Sequence, residues 1–502
     1  MNLSKKNQCI HLGWIALSLL VLLTVPTFTW AGQDTKKSSS SAPAASHPAP
    51  PAAHTNPNPR PSQNPNPKPN PSPKPNPNPK PNPNPKPNPN PKPNPNPRPD
   101  PNSKPTPQTY HPQADEKVKT LPGGGREYHD PKSNRTVTTD SRGVVRKIEA
   151  QHGLAGKMTI ARTPGAGRQV VTGSPGSRVV SYGPHRGFVE RTLRPGYISR
   201  TYIGHGRPYA VVYRQYYYRG FAYYRYVPAY YYGPRFYGWV VSPWVMPAPY
   251  YWGGVAMPWF GFYAGYFAPG YYSYASPDLW LTDYLLSENL RAAYENQQAE
   301  NNSAPAPDPS ASSSDAPATV TPEMKAMIAE EVRQQLAAEK TAAAQPTTAS
   351  SGQAGVDSDQ APPALSQKFF VVSSNLEVTA NGQACSLTPG DIIERRSRNV
   401  ASDGTVALEV ISSKKGDCTA DSAAPVQVQL ADLQEMHNQL RQQIDSGLKT
   451  LADDQAKGLP AAPATKITPV AAGTANPAPD AQNALMTQDQ DAQRVEAQVT
   501  QN

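Results

Sequence analysis

Residues 136–148 read TVTTDSRGVVRKI, two short runs of β-branched residues on either side of the polar turn DSRG at 140–143. Further along, GRQVV at 167–171 is echoed by RVVS at 178–181. Short strands of this composition, with turn signals about every ten residues, are typical of antiparallel hairpins. The pattern over residues 120–205 therefore predicts a β-meander.

Basic and aromatic residues alternate in the stretch that follows. Of the 26 tyrosines, 22 lie between Tyr182 and Tyr274, and Glu190 is the only acidic residue from 151 to 277, against 13 lysines and arginines. Arginine donates forked hydrogen bonds to phosphate or carboxylate, and tyrosine rings stack on sugars. The candidate site for an anionic or sugar polymer comprises Arg207, Arg214, Tyr217, Arg219, Tyr224, Arg225 and Arg235. The alternative is that cation–π contacts simply hold a Gly-rich aromatic region together.

An uncharged stretch rich in Trp, Tyr and Gly lies between Arg235 and Asp278. Proline and glycine interrupt it too often for a membrane-spanning helix, but it could bind at a membrane interface. Ser276, Pro277 and Asp278 then suit the N-cap and first turn of a helix. We therefore expect residues 120–299 to form an irregular, basic and aromatic β region that ends in a helix.

The N-terminus has the features of a secretory signal peptide over residues 1–31. Lys5 and Lys6 precede an apolar run, and small residues at 29 and 31 suit cleavage between Ala31 and Gly32. An uncleaved inner-membrane anchor is the alternative. Either interpretation places the rest of the chain outside the cytoplasm.

Residues 32–119 are predicted to be a disordered, Pro-rich spacer. Repeats of PNPNPK favour polyproline II, which has three residues per turn. Cations spaced six residues apart therefore share one face; they are Lys68, Lys74, Lys80, Lys86, Lys92 and Arg98. This stripe could lie along an anionic polymer, or it could merely keep the spacer solvated.

The C-terminal half predicts one small folded unit between linkers. Residues 300–366 form a linker with a helix at 322–340, and residues 456–502 a disordered tail. Short strands followed by a helix occupy residues 367–455, and LTPGD at 387–391 resembles a turn of bacterial SH3-like barrels. After export, Cys385 and Cys418 remain as an even pair in an oxidising compartment, which predicts a disulfide.

No catalytic constellation is evident in the sequence. His129 and Asp130 are adjacent, but no serine stands in a nucleophile-elbow context, and neither HExxH nor CxxC occurs. We therefore predict a protein that is not an enzyme, with no catalytic residue, no cofactor and no metal site.

Two resemblances add to this interpretation. Tyr128-His129-Asp130 and the DSRG turn resemble exported repeats of the YD/RHS type, which implies an extracellular β-structure without intrinsic chemistry. With WLTDY at 280–284, the whole architecture resembles exported bacterial proteins of unknown function that have a Tyr/Trp/Gly-rich middle and an SH3-like tail.

The predicted fold class is mostly β with long disorder: a β-meander and aromatic region, short helices, and a small disulfide-stapled SH3-like β-barrel followed by a helix. The predicted function is a non-catalytic, exported protein of the periplasm or cell envelope, or a secreted one. It would contact peptidoglycan, lipopolysaccharide or another polysaccharide, with no intracellular nucleic acid. A TonB-like envelope-spanning scaffold and an interfacial membrane binder are the alternatives, and the helices could mediate oligomerisation.

Overall fold

The turn at residues 140–143 forms because its acidic residue caps it. Asp140 Oδ1 accepts hydrogen bonds from the backbone N–H groups of Arg142 and Val144, at 2.9 and 3.0 Å. Gly143 has a φ of 80°, in the left-handed region that glycine enters without a steric penalty. The runs on either side pair as antiparallel strands.

These observations come from a computed structural model of the chain. It describes residues 109–500 apart from residues 154–155, 164–166, 184, 205, 251, 253–256, 269–272, 301–318, 346–360, 381–382, 415–417, 419–424 and 454–457.

Eleven antiparallel strands follow one another in a single sheet, and each pairs with the next along the chain. They are β1 (Lys117–Thr120), β2 (Arg126–Asp130), β3 (Arg135–Thr139), β4 (Val145–Gln151), β5 (Lys157–Thr163), β6 (Gly167–Ser174), β7 (Ser177–Gly183), β8 (Arg186–Arg194), β9 (Tyr197–Ile203), β10 (Tyr209–Tyr218) and β11 (Phe221–Val227). The meander therefore extends beyond residue 205, because the Tyr/Arg-rich stretch supplies the last hairpin. In that hairpin Arg214 lies opposite Arg225, and Tyr216 lies opposite Tyr223.

The rest of the described chain adds six α-helices and two smaller sheets. The helices are α1 (Pro234–Val240), α2 (Pro258–Phe262), α3 (Pro277–Glu300), α4 (Pro322–Ala344), α5 (Leu430–Asp453) and α6 (Ala481–Thr500). The remaining strands are β12 (Tyr230–Tyr232), β13 (Phe369–Val371), β14 (Leu376–Ala380), β15 (Gln383–Leu387), β16 (Ile392–Arg395), β17 (Thr405–Ser412), β18 (Val426–Gln429) and β19 (Ile467–Pro469). The fold is mostly β with short helices, as the sequence predicts.

The C-terminal sheet has six antiparallel strands in the order β13-β16-β17-β18-β14-β15. Cys385 in β15 is bonded to Cys418, with 5.1 Å between their Cα atoms, which confirms the predicted disulfide. In the LTPGD turn, Asp391 is fully buried and pairs with Lys414. The SH3-like barrel stays a prediction.

Three helices cover the two faces of the large sheet. On one face α6 packs against β6–β9, where Leu485 lies among Val189 and Ile203. On the other face α3 contacts β6 and β7, and α5 contacts β11. Alternation of side chains along each strand separates the residues that meet α6 from those that meet α3 and α5.

The edge strand β11 is closed by α5. Asn438 Oδ1 accepts from the backbone N–H of Tyr226 at 2.9 Å, and Asn438 Nδ2 donates to the carbonyl of Tyr224 at 2.7 Å. Arg441 donates to the carbonyl of Tyr226 at 3.2 Å. These side chains occupy backbone groups that would otherwise bind another strand.

Residues 458–500 are ordered, contrary to the disorder predicted for residues 456–502. This segment contains β19, which pairs with β12, and α6, whose Ala492 and Val499 share a core with Val137 and Ile148 of the large sheet. The segment orders because the sheet offers it an apolar face, although its own composition is polar.

The helix predicted at 322–340 extends to Ala344 as α4. Its apolar stripe is buried inside the chain, where Val332 and Leu336 meet Trp280 and Leu281 of α3. The stripe is therefore covered within the chain rather than offered to a second copy.

Candidate functional site

The seven predicted polymer-binding residues lie on different surfaces. Arg214 and Arg225 face the α6 side of the sheet, where both guanidinium groups lie over the ring of Tyr216, at 5.2 and 5.0 Å. Tyr217 and Tyr224 face the opposite side by strand alternation. Their sequence proximity therefore does not make one continuous patch.

The remaining three arginines lie near loops and helix ends. Arg207 precedes β10 and is exposed. Arg219, in the β10–β11 turn, has a φ of 50° and stacks its guanidinium 5.2 Å from the ring of Tyr218. Arg235 is exposed in the first turn of α1. For Arg214, Arg219 and Arg225, the cation–π alternative describes their surroundings.

Arg207 and Tyr224 instead contribute to a cleft of about 840 Å³. Its floor is the face of β6–β11 that points away from α6, and its walls come from α3 and α5. We call this space the central cleft.

Polar stripes of the two helices line the central cleft. The α5 stripe has spacings of three and four residues and comprises Asp432, Glu435, Gln439, Gln442, Ser446 and Lys449. The α3 stripe has the same spacings and comprises Tyr284, Glu288, Arg291 and Glu295. Residues three and four apart share one face of a helix, so each helix turns one polar face to the cleft and an apolar face to the core.

A buried ion-pair network forms the floor of the cleft. Arg200, only 2% exposed, donates from Nε to Glu190 at 2.7 Å and from Nη1 to Glu435 of α5. Its guanidinium lies 4.2 Å from the ring centroid of Tyr213. Glu190 also accepts from the backbone N–H of Gly176 at 2.7 Å. The charge of Arg200 is thus fully engaged by the protein itself.

Other bases around the cleft are paired in the same way. Arg186 lies 3.0 Å from Glu295, Arg291 lies 2.6 Å from Glu288, and Arg178 lies 3.3 Å from Glu190. Six basic and six acidic side chains line the cleft in all. The formal charges of the central cleft therefore balance, in contrast to the basic stretch of sequence that forms its floor.

Tyrosine hydroxyls and glutamine amides fill the space between these ion pairs. The hydroxyls of Tyr202 and Tyr213 lie 3.0 Å apart. Gln439 donates to Tyr202 at 3.2 Å, and Gln442 donates to Tyr213 at 2.6 Å. At the mouth, the ring of Tyr209 stacks on that of Tyr202, with centroids 5.2 Å apart and planes 15° apart. Tyr209 is 56% exposed, so the stacked pair presents an aromatic face to solvent.

Two carboxyl groups of the cleft have raised pKa values. Burial, reinforced by the negative charge of Glu339, raises the pKa of Asp445 well above its usual value. Burial, reinforced by the negative charge of Glu435, raises the pKa of Asp432 to about 6, against the opposing effect of Arg178. Burial also raises the pKa of Tyr224. Asp432 therefore changes its charge under mildly acidic conditions.

The acidic and amide residues of α3 and α5 were missed by the sequence interpretation. Glu435 is 235 residues from Arg200 along the chain, and nothing local links the two. A signal did exist, since the α5 stripe of Asp432, Glu435, Gln439 and Gln442 has helical spacing opposite the apolar stripe.

Several predicted features lie outside the described residues. They are the signal peptide, the cleavage site at Ala31 and Gly32, and the cationic stripe of Lys68, Lys74, Lys80, Lys86, Lys92 and Arg98. Within residues 109–500, leaving aside the gaps given above, no cluster of three or more His, Cys, Asp or Glu side chains could hold a metal ion. No helix in the same described part is long and apolar enough to cross a membrane.

Comparison with known proteins gives no match: no family model, no curated protein and no solved structure matches the chain. The interpretation of the site therefore depends on its own geometry.

Proposed function

We propose that this chain is an exported, non-catalytic protein of a cell envelope that binds wall or outer-membrane polymers in the central cleft. The observation that carries the proposal is the cleft itself, about 840 Å³ in volume and lined by tyrosine, glutamine and paired charges. Ligand sites commonly span about 300–1,000 Å³. Exposed Arg207, Tyr209 and Lys449 on the lining leave it open to a ligand from solvent.

The other parts of the proposal concern location and layout. A disulfide favours an oxidising compartment, which agrees with the signal-like N-terminus. In this proposal the Pro-rich segment acts as a spacer, and the six-stranded sheet is an SH3-like unit. The cleft acids Glu190, Glu435, Glu288 and Glu295 are engaged by arginines, an arrangement suited to binding rather than to proton transfer.

Co-sedimentation of the mature protein with peptidoglycan sacculi and with lipopolysaccharide vesicles, at low and high salt, tests the proposal. Ala222 lines the cleft and is exposed, so Ala222→Trp fills the space without disturbing a core. Ala338 is exposed on α4, so Ala338→Trp is the matched control. We expect pelleting that Ala222→Trp weakens and Ala338→Trp preserves.

Two results would contradict the proposal. Absence of pelleting with every polymer would remove the envelope-binding role, and release of new reducing ends from sacculi would make the chain an enzyme. Finding Gly32 at the mature N-terminus would exclude the alternative of an anchored, TonB-like scaffold.

An interfacial membrane binder is the second candidate, favoured by one observation. Most of the described aromatic side chains within residues 236–275 are buried, including Phe236, Trp244 and Phe267, but Val245 is fully exposed and Met246 is 76% exposed. Two exposed apolar neighbours at a loop tip suit shallow insertion into a lipid surface. Flotation with liposomes decides it: the Val245→Ser, Met246→Gln variant should lose flotation if this tip inserts.

A further inference from the structure

The central cleft has two features that a general polymer-binding role does not explain, namely its neutral charge and its exposed tyrosine pair. We infer that it takes an uncharged sugar chain rather than a polyanion. This inference rests on the proposed function and names the class of its ligand.

Charge pairing argues against a polyanion. Arg200, Arg186 and Arg291 each have a carboxylate partner within 3.0 Å. A bound phosphate or carboxylate would have to displace these partners, and Glu190, which is 1% exposed, would keep only its longer contact with Arg178, at 3.3 Å. Breaking a buried ion pair in this way costs about 3–5 kcal/mol. The cleft therefore disfavours extra negative charge.

The aromatic pair at the mouth suits a sugar ring. Tyr209 and Tyr202 stack with planes 15° apart, and Tyr209 exposes 56% of its surface. The apolar face of a pyranose ring packs on such a flat surface while its hydroxyls point outward. The hydroxyl of Tyr202 is held by Gln439, at 3.2 Å, which fixes the orientation of the lower ring.

Donors and acceptors next to this pair suit hydroxyl groups. Gln439 and Gln442 line the wall formed by α5; their amide nitrogens donate to Tyr202 and Tyr213, and their carbonyl oxygens are acceptors suited to ligand hydroxyls. A sugar hydroxyl can donate to these oxygens without bringing a charge. Neutral ligand groups therefore complete the site where charged ones would disrupt it.

Calorimetric titration of the full mature chain tests the inference with three soluble probes. The probes are hexamers of glucose and of N-acetylglucosamine, which are uncharged, and a heparin hexasaccharide, which is anionic. We expect an uncharged hexamer to bind with an affinity that does not change between low and high salt, because no counterions are released.

Two matched variants place the binding in the cleft. Tyr209→Ala removes the exposed ring and should weaken binding about three- to tenfold, as expected for one aromatic contact. Tyr197→Ala removes a half-buried tyrosine from the same sheet on the opposite face, where Arg194 covers its ring at 4.0 Å, and should change nothing.

The outcomes separate this inference from the proposed function. Salt-sensitive binding of heparin alone, or binding of the uncharged hexamers that Tyr209→Ala leaves intact, would overturn the inference. Pelleting with sacculi without binding of either uncharged hexamer would also overturn it and leave the proposed function standing. Failure to bind sacculi, lipopolysaccharide and all three probes would overturn both.

Discussion

Arg200 lies at the centre of the cleft floor, where three elements of the fold meet. It connects Glu190 of β8 with Glu435 of α5 and lies over the ring of Tyr213 in β10. Because Arg200 is 2% exposed and Glu190 is 1% exposed, neither charge can be rehydrated if the other is removed. This pair therefore couples the sheet to the helix that forms one wall of the site.

Replacing Arg200 by methionine should lower the free energy of unfolding by about 3–5 kcal/mol, because Glu435 would lose this partner and the buried Glu190 would keep only its longer contact with Arg178. Urea unfolding at pH 7 measures the loss. The Arg200→Met, Glu190→Gln double variant should recover part of it, and Arg207→Met, at an exposed position, should have little effect. A double variant no more stable than the single one would contradict the role assigned to this pair.

Asp432 has a folded-state pKa that burial raises to about 6. The native state then holds this proton at pH values where the unfolded chain has released it, so the contribution of Asp432 to stability falls as pH rises from about 4 to 6. Asp432→Asn should therefore stabilise the fold by about 1–3 kcal/mol above pH 7 and by nothing below about pH 4.

Unfolding in urea at a series of pH values measures this difference between the variant and the parent. Asp453→Asn, at a site whose side chain is 58% exposed, is the control. The same difference at pH 4 and pH 8 would show that burial does not disfavour the charge of Asp432. Arg178 and Glu435 face Asp432, so the parent and variant must be compared at each pH.

At the residue scale, the sequence indicates which residues are candidates for binding better than it predicts what surrounds each of them in the fold. It identifies Arg207 and Tyr224 as candidates, and both line the cleft. It cannot show that Arg214 and Arg225 point to the other face, because that depends on strand register. Nor can it pair Arg200 with Glu435, because the two meet only after α5 has packed on the sheet.

At the scale of elements, α6 shows how a polar segment becomes part of a core. Its buried side chains recur along one face; they are Ala481, Leu485, Gln488, Asp489, Ala492, Glu496 and Val499. Between them, Glu496 pairs with Arg162 and Arg168, at 2.8 and 3.0 Å. The helix thus shields apolar side chains of the sheet and also neutralises its arginines.

Leu485→Ala should lower the free energy of unfolding by about 2–5 kcal/mol, because Leu485 is fully buried against Val189 and Ile203. Gln490→Ala, at an exposed position on the same helix, should change it by no more than about 0.5 kcal/mol. Thermal and urea unfolding measure both. Equal stability of the two variants would mean that α6 does not pack on the sheet in solution. That result would agree with the disordered tail that the sequence alone predicts.

The sequence predicts a helix or strand correctly where the local residues are enough to determine it. The start of α3 is predicted from Ser276 and Pro277, since capping is a local property, and the helix begins at Pro277. The prediction of a disordered tail is wrong for the opposite reason. The few apolar residues of α6 are enough to form a core only because the large sheet supplies Val137, Ile148 and Val189.

At the scale of the whole molecule, the predicted boundary before residue 367 does not separate two independent cores. Helix α5 follows the six-stranded sheet in sequence, yet it divides its apolar surface between two partners. Leu433 and Met436 pack with that sheet, whereas Ile444, Leu448 and Leu451 pack with α1 and α3. Sequence periodicity reveals the apolar stripe but not which partner covers each part of it.

The fragment of residues 361–458 should therefore not behave as an autonomous domain. Expressed alone, it would expose Ile444, Leu448 and Leu451, all fully buried in the intact chain. An apolar patch of this kind drives association, so we expect the fragment to self-associate in analytical ultracentrifugation and to unfold at a lower urea concentration than the intact chain.

Replacing the three residues by glutamine should make the fragment monomeric, because its own core, which includes Phe370, Val406 and Leu433, remains complete. A wild-type fragment that is monomeric and as resistant to urea as the full chain would instead show that the six-stranded sheet and α5 form a separate domain, and that the cleft wall supplied by α5 can move independently of the large sheet.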